Sequence, residues 1–272
     1  MAGRVEVRVG RTRPSDQRTG YLLGVQKMSR IYSNCLEMIK EVERDAWEMG
    51  VQVPVQSMQD KVGELMTREL RAYGFTITPP QDKLDEMVEY LFPKSSVLDY
   101  CRAELVDRVG GVPLNPGNSY KVRGQVWSEF LHNGTFAYTY SCRMCQQLPR
   151  IIQELRDKPG TRQAIINIHS NFYESFDPAN PDLPHQDLHR LGGVARIPCS
   201  MYYQMMRRDG KLDLIYTMRS CDFLTHFAVD IWLAARLQEH VANQLGIPRG
   251  NFSYFTGSLH AYEKDMKTRG IF

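Results

Sequence analysis

The chain has 272 residues, 42% of them hydrophobic and 10% aromatic, enough to bury a core in one large domain or two small ones. A net charge of +3 is too small to argue for nucleic acid, and no run approaches the roughly 18 apolar residues of a membrane-spanning helix. The opening residues, Met1 to Glu6, lack the apolar core of a signal peptide, so a cytoplasmic protein is expected.

Residues 1–30 hold seven basic side chains (Arg4, Arg8, Arg11, Arg13, Arg18, Lys27 and Arg30) against Glu6 and Asp16. Such an arm is either a solvated extension or a phosphate-binding tail, and the first is the plainer reading. Within it Val5, Val7 and Val9 alternate with charged residues, as in an edge strand. From Tyr32 to Met49 a stripe of Cys35, Leu36, Met38, Ile39, Val42 and Trp47 predicts a helix. Pro54 to Gly63 is a polar loop, and Leu65 to Ile77, stopped by Pro79-Pro80, predicts a strand pair. Leu84–Leu91 and Ser96–Val109 predict helices, the second capped by Ser95 or Ser96.

Gly110 to Asn118 is a Gly/Pro loop. Val122 to Tyr140 carries Trp127 and Phe130 and turns at Asn133-Gly134. Gln147 to Arg156 is an amphipathic helix closed by Pro159-Gly160, and Ala164 to Ile168 is a buried strand. Ser175 to Gly193, rich in Asp, Pro, Asn and His, has the composition of an inserted surface loop. Met201–Met206 and Lys211–Met218 are strands joined by Asp209-Gly210, a strong hairpin signal. Val229, Leu233, Leu237, Val241 and Leu245 recur every four residues through a helix that Gly246 ends, and Asn251–Thr256 is a last strand. Repeats and linkers are absent from this pattern, which describes one α+β domain over 31–272 behind the basic extension.

The six cysteines are scattered, unlike a disulfide framework. Cys142-Arg143-Met144-Cys145 has C-x-x-C spacing but no second pair, so no metal site is expected. Cys199 follows Pro198, with Arg196 upstream and Arg219 one hairpin away, and positive neighbours favour a thiolate nucleophile. Taken alone, a cysteine entering a strand is more often core. Arg219-Ser220 offers a guanidinium fork and a hydroxyl, the groups that hold a phosphate monoester. His260 and Tyr262 face one side of a strand, either as a sugar-binding pair or as a structural one. Asp230 stands in the first turn of a helix, where the macrodipole favours a carboxylate.

In sequence these are Pro198-Cys199, Arg219-Ser220-Cys221-Asp222, Asp230 and Gly257-Ser258-Leu259-His260-Ala261-Tyr262. The set resembles the thymidylate synthase family, whose members carry a cysteine after proline, an Arg-Ser-x-Asp segment, an Asn or Asp, and Gly-x-x-His-x-Tyr. Upstream, Asp157–Gln163 is similar to the family loop that sends arginines into the partner's phosphate site, with Arg162 matching and Gln163 replacing a second arginine. Val126–Phe130 resembles the folate-side tryptophan segment, Tyr140-Ser141 the Tyr-Gly pair, and Glu104 falls at the catalytic glutamate. An N-terminal phosphate-loop arginine is not evident around Ser57, Gln59 and Lys61. Met218, Ser200 and Asp230 stand where the synthases have Gln, His and Asn, and the chain ends soon after Tyr262, without the segment that closes over folate there. In these departures it resembles the deoxycytidylate hydroxymethylases of bacteriophages.

The resemblance implies a large mixed sheet packed against helices and dimerising through the sheet. It also implies a homodimer with shared active sites, a pyrimidine nucleoside monophosphate substrate and 5,10-methylenetetrahydrofolate as co-substrate. Under it Cys199, Glu104, Asp230 and Tyr140 are catalytic. Arg162, Arg219, Ser220, Asp222, His260 and Tyr262 bind nucleotide, and Trp127 with Asp222 shapes the folate side. Implied alternatives are action on CMP or dUMP, methyl transfer, or a nucleotide- or RNA-binding relative that has lost catalysis.

Overall fold

The computed structural model describes residues 30–55, 65–131, 133–169 and 197–269. The expected Val5–Val9 strand, the basic arm before Arg30, the region of Ser57, Gln59 and Lys61, the Ser175–Gly193 insertion and Arg196 lie outside them.

The described residues form a seven-stranded mixed sheet in the order β1-β3-β7-β6-β5-β4, with β2 also pairing β3. The strands are β1 Ile31–Asn34, β2 Val51–Val55, β3 Leu65–Asp82, β4 Ile165–Asn167, β5 Ser200–Arg208, β6 Lys211–Asp222 and β7 Arg249–Tyr262. Helices α1 Cys35–Met49, α2 Leu84–Leu91 and α3 Val97–Val109 come from the first half, followed by α4 Ser119–Trp127, α5 Tyr140–Met144 and α6 Gln147–Asp157. The last two are α7 Ala228–Leu245 and α8 Glu263–Thr268.

Local chemistry sets most boundaries. The first helix begins at Cys35, not Tyr32, because Asn34 caps it, its side-chain oxygen accepting from the N–H groups of Leu36 and Glu37. Tyr32 belongs to β1. The expected strand pair over Leu65–Ile77 is one strand running on to Asp82. Pairing with β7 ends at Ile77, so Pro79 and Pro80 remove no N–H from that ladder. Asp209 and Gly210, both at positive φ, close the β5–β6 hairpin as expected. Gly246, at φ 65°, ends α7. β6 and β7 run longer than predicted, because their last residues keep pairing with each other after the phase of their burial alternation has shifted. Helix α7 is buried on nearly every side, with Ile231, Trp232, Leu233, Ala234 and Ala235 each at most 3% exposed.

One irregularity crosses four strands and decides where the site lies. The β3–β7 ladder skips Ala72, which has φ 51°, opposite Gly257. The β6–β7 ladder skips Arg219 beside the same glycine, and β5 slips register between Ser200 and Tyr202. On one side of this seam Tyr73, Phe75, Met218, Tyr216, Tyr254, Thr256, Tyr203 and Met205 are buried. On the other the buried parity changes, to Leu70, Cys221, Leu259, Ala261 and Ser200. Bulges of this kind re-aim side chains beside functional sites. Here the change leaves Ser220, Asp222, His260 and Tyr262 half-buried at the sheet's end. A side chain at Gly257 would press its Cβ to 2.8 Å from the Arg219 carbonyl oxygen, so the seam needs glycine there.

Candidate active site

Cys199 is half-buried and immediately precedes β5. The register places it across from Arg219, whose N–H donates to the Cys199 carbonyl at 2.8 Å. The Arg219 guanidinium folds back over the approach to the cysteine. Its Nε donates to the Pro198 carbonyl at 2.9 Å, Nη2 to the Ile197 carbonyl at 3.0 Å, and Nη1 to Ser220 Oγ at 3.1 Å. Ser220 Oγ in turn lies 3.8 Å from Cys199 Sγ. Backbone pairing therefore joins the expected nucleophile to the expected anion-binding pair.

Three other cysteines are unsuited to that role. Burial pushes the thiols of Cys35 and Cys101 up to about 12, and burial together with the Asp230 charge pushes Cys221 well above its usual range. Cys221 Sγ contacts Asp230 Oδ2 at 3.7 Å, which fixes one oxygen of the carboxylate from the sheet side.

Farther along the same end, Asp222 pairs with His260 across β6 and β7. Asp222 Oδ1 accepts from the N–H groups of Leu224 and Thr225, capping a π-turn over Phe223–Phe227 that leads into α7 and Asp230. π-turns are rare and recur at functional positions. Burial raises the Asp222 pKa and lowers that of His260, while each charge partly sustains the other. The rings of His260 and Tyr262 stand edge-on at 5.8 Å, and Ser258 Oγ links His260 Nδ1, at 3.4 Å, to Glu69, at 2.6 Å.

Glu104, Trp127 and Tyr140 line a separate cavity with Tyr120, Phe136 and Tyr138. Tyr140 is placed by Thr139, which caps α5 and donates to the Leu114 carbonyl, and by Ser141, which accepts from Leu114 N and donates to the Val112 carbonyl. Trp127 ends α4 and stacks on His226 of the π-turn, with ring centres 5.6 Å apart. Ser200 joins this cavity to the sheet. Its Oγ is 2.8 Å from the Tyr140 hydroxyl and 2.6 Å from that of Tyr216, and Ser200 adjoins Cys199.

Two groups of this site escaped the sequence reading. Ser119 Oγ donates to Glu104 Oε2 at 2.7 Å, and Arg108 Nε donates to Glu104 Oε1 at 2.8 Å. Arg108 is only 3% exposed, and although burial works against its charge, the Glu104 carboxylate outweighs that and raises its pKa well above the usual arginine range. The Glu104/Arg108 spacing of one helical turn was the available signal, but it more often marks a surface pair. Arg162 is not part of this assembly in the single chain. It lies exposed between α6 and β4, where its carbonyl accepts from Gln204.

Comparison with known proteins gives the family to which this fold belongs. A model described as thymidylate synthase matches residues 112–269, more than half the chain, and the protein belongs to the thymidylate synthase family. It is 30% identical to a thymidylate synthase of Rhodopseudomonas palustris (strain BisA53) over 147 residues, 54% of this chain and 41% of the relative. It is 28% identical to a putative thymidylate synthase of Methanosarcina barkeri (strain Fusaro / DSM 804) over 136 residues, 48% of this chain and 55% of the relative. The matches thus span about half the length of these relatives.

Two solved structures share the fold. Thermostable thymidylate synthase A from Bacillus subtilis superposes with a TM-score of 0.65 at 16% identity, covering 88% of this chain and 83% of that one. The thymidylate synthase from T4 phage does so with 0.59 at 20%, covering 85% and 78%. Among the described residues no helix is long and apolar enough to cross a membrane.

Proposed function

We propose that the protein is a pyrimidine nucleotide hydroxymethylase that converts dCMP, methylenetetrahydrofolate and water to 5-hydroxymethyl-dCMP and tetrahydrofolate. The observation that carries this reading is Asp230, a carboxylate held by Cys221 at the start of α7 beside the Cys199 segment. Uracil offers a donor at N3 and an acceptor at O4, which an asparagine amide matches. Cytosine offers an acceptor at N3 and donors on N4, which a carboxyl sharing one proton with N3 matches. The names of the curated relatives favour methyl transfer to a uracil nucleotide, and that is the competing reading.

In the proposed reaction Cys199 adds to C6 of the base, and Asp230 stabilises the charge that builds at N3 and N4. C5 then becomes the nucleophile. Arg219 and Ser220 hold the phosphate, His260 and Tyr262 the sugar, and Arg162 would reach the phosphate site of a second copy. The aromatic wall of Trp127, Phe136 and Tyr138 fits a flat heterocycle, with Glu104 beside it, and Asp222 acts on that side through the π-turn it caps, whose His226 stacks on Trp127. Methylenetetrahydrofolate bound there would supply the one-carbon unit: C5 bonds to its methylene carbon and gives up its own proton, and tetrahydrofolate leaves with the electrons of the broken C–N bond, so that an exocyclic methylene is left on C5 for water to add to. Glu104, assisted by Tyr140, then handles the protons of the water that completes the hydroxymethyl group, and Cys199 leaves C6.

The test is to incubate the protein with methylenetetrahydrofolate and each of dCMP, CMP and dUMP, then weigh the nucleotide products. A dCMP product heavier by CH2O is expected. A dUMP product heavier by CH2 would make it a synthase, and no change in any nucleotide would overturn both readings. Asp230→Asn should lower kcat/KM for dCMP by about tenfold or more while raising that for dUMP, since a mismatched buried polar pair costs about 1–3 kcal/mol. An unchanged preference would remove Asp230 from base reading.

A further inference from the structure

We infer that Arg108 is a positioning residue, holding the Glu104 carboxylate and the Tyr140 ring in one fixed geometry at the junction of cavity and sheet. Its guanidinium meets three elements at once. Nε bonds Glu104 one turn earlier on α3, Nη1 donates to the Tyr203 hydroxyl of β5 at 3.3 Å, and the guanidinium carbon lies 3.7 Å above the centre of the Tyr140 ring of α5. Tyr203 stacks on Tyr216 with ring centres 4.4 Å apart, and Tyr216 bonds Ser200, the neighbour of Cys199. One planar cation thus ties the Glu104 side of the cavity to the residue beside the expected nucleophile.

An arginine is a poor choice for this position if packing were its only task. A buried ion pair gains little stability over apolar side chains of similar volume, because both charges must be desolvated. A guanidinium does give direction: its plane stacks on an aromatic face while its edge fixes a carboxylate. The two Glu104 oxygens are shared between Arg108 and Ser119, so the carboxylate has one orientation available while both partners are present. Without Arg108 it can turn away, and a misplacement of about 1 Å at a reacting group costs about a hundredfold in rate.

This role rests on Glu104 acting in the reaction proposed above, so the parent is assayed first for turnover of dCMP, CMP and dUMP with methylenetetrahydrofolate. Arg108→Leu is expected to lower kcat by about a hundredfold with the nucleotide KM within about threefold of the parent, since the nucleotide anchors lie on the sheet. Arg108→Lys should recover only part of this loss, leaving kcat about tenfold below the parent, because an ammonium reaches Glu104 but has no plane to lay on Tyr140. In a Glu104→Gln background Arg108→Leu should cost less than about threefold, as expected for a residue that works through Glu104.

A folded Arg108→Leu with kcat within about threefold of the parent, or losses that multiply in the double variant, would overturn the role. If the leucine variant does not fold by circular dichroism, Arg108→Lys decides. A kcat loss near tenfold at unchanged KM supports positioning, and parent-like kcat or a loss confined to KM overturns it. A parent inactive on all three nucleotides sinks the proposed function and this role together, whereas an active parent with indifferent variants sinks this role alone.

Discussion

The two halves of the site are built by different means. Cys199, Arg219, Ser220, Asp222, His260 and Tyr262 sit on strand ends, where main-chain pairing decides who faces whom. Glu104, Trp127 and Tyr140 come from three helices, Glu104 held by side-chain bonds from Arg108 and Ser119, Tyr140 by one to Ser200, and Trp127 by its stack on His226. A ladder keeps its geometry when one side chain changes, because its bonds are backbone to backbone. A network of buried polar side chains does not, since each lost partner leaves another group unpaired. Substitutions on the sheet half should therefore alter chemistry without altering shape, and those on the helical half should alter both.

The largest effect that would sharpen this contrast is at Cys199. Cys199→Ser should cut turnover by about a thousandfold or more, an alcohol at neutral pH being a far poorer nucleophile than a thiolate. Nucleotide affinity by calorimetry should stay near the parent value, because the ladder and Arg219 remain. Turnover within about tenfold of the parent would take the nucleophile from Cys199.

Ser200→Ala is next, and tests the joint between the halves. It leaves the Tyr140 and Tyr216 hydroxyls without their shared partner in a fully buried position. A loss of about 1–3 kcal/mol in urea unfolding is expected, the range for an unsatisfied buried polar group. Equal stability in the variant would mean that the halves are not joined there.

The smallest effect concerns His260. Burial holds its pKa below the ordinary 6.5, so as pH falls through 6.5 the unfolded chain takes up the proton before the folded one does. Stability is fully present above that pH and declines as pH drops toward the folded value. His260→Gln should flatten that slope, as followed by thermal melting between neutral and mildly acidic pH. The slope should shrink and not vanish, because burial lowers the pKa of His240 as well. A parent whose melting temperature stays level across this range would contradict the lowered pKa of His260.

The same contrast explains what the sequence made legible. Asp209-Gly210 forces a two-residue turn, so the pairing of β5 with β6 can be read by counting outward as far as Tyr202 and Thr217, which brings Cys199 near Arg219-Ser220; the register slip beyond Tyr202, which sets Cys199 across from Arg219 itself, has no signal in the sequence. The apolar period of α1, α6 and α7 was likewise plain. The end of β3 was placed too early because Pro79-Pro80 signals a stop, and only the three-dimensional pairing shows that those prolines lie beyond the shared ladder with β7. Arg108 was not legible for a related reason. Glu104 and Arg108 one turn apart look like a solvent-facing pair, and nothing in one helix says that β5 and α5 will close over it.

The seam through Ala72, Gly257, Arg219 and Met201 has a consequence for how this architecture can be cut and recombined. Residues beyond it are indexed from the seam and not from the core, since each strand resets its alternation there. Short segments on the far side, Pro198–Ser200, Arg219–Asp222 and Gly257–Tyr262, therefore form an exchangeable cassette. Transplanted together between relatives that keep a glycine at the seam, they carry the candidate-site side chains across while the apolar alternation of the core half stays in phase. A single-residue insertion on the core side has no such freedom: it would have to be matched in every paired strand at once. Chain length there is a harder constraint than residue identity.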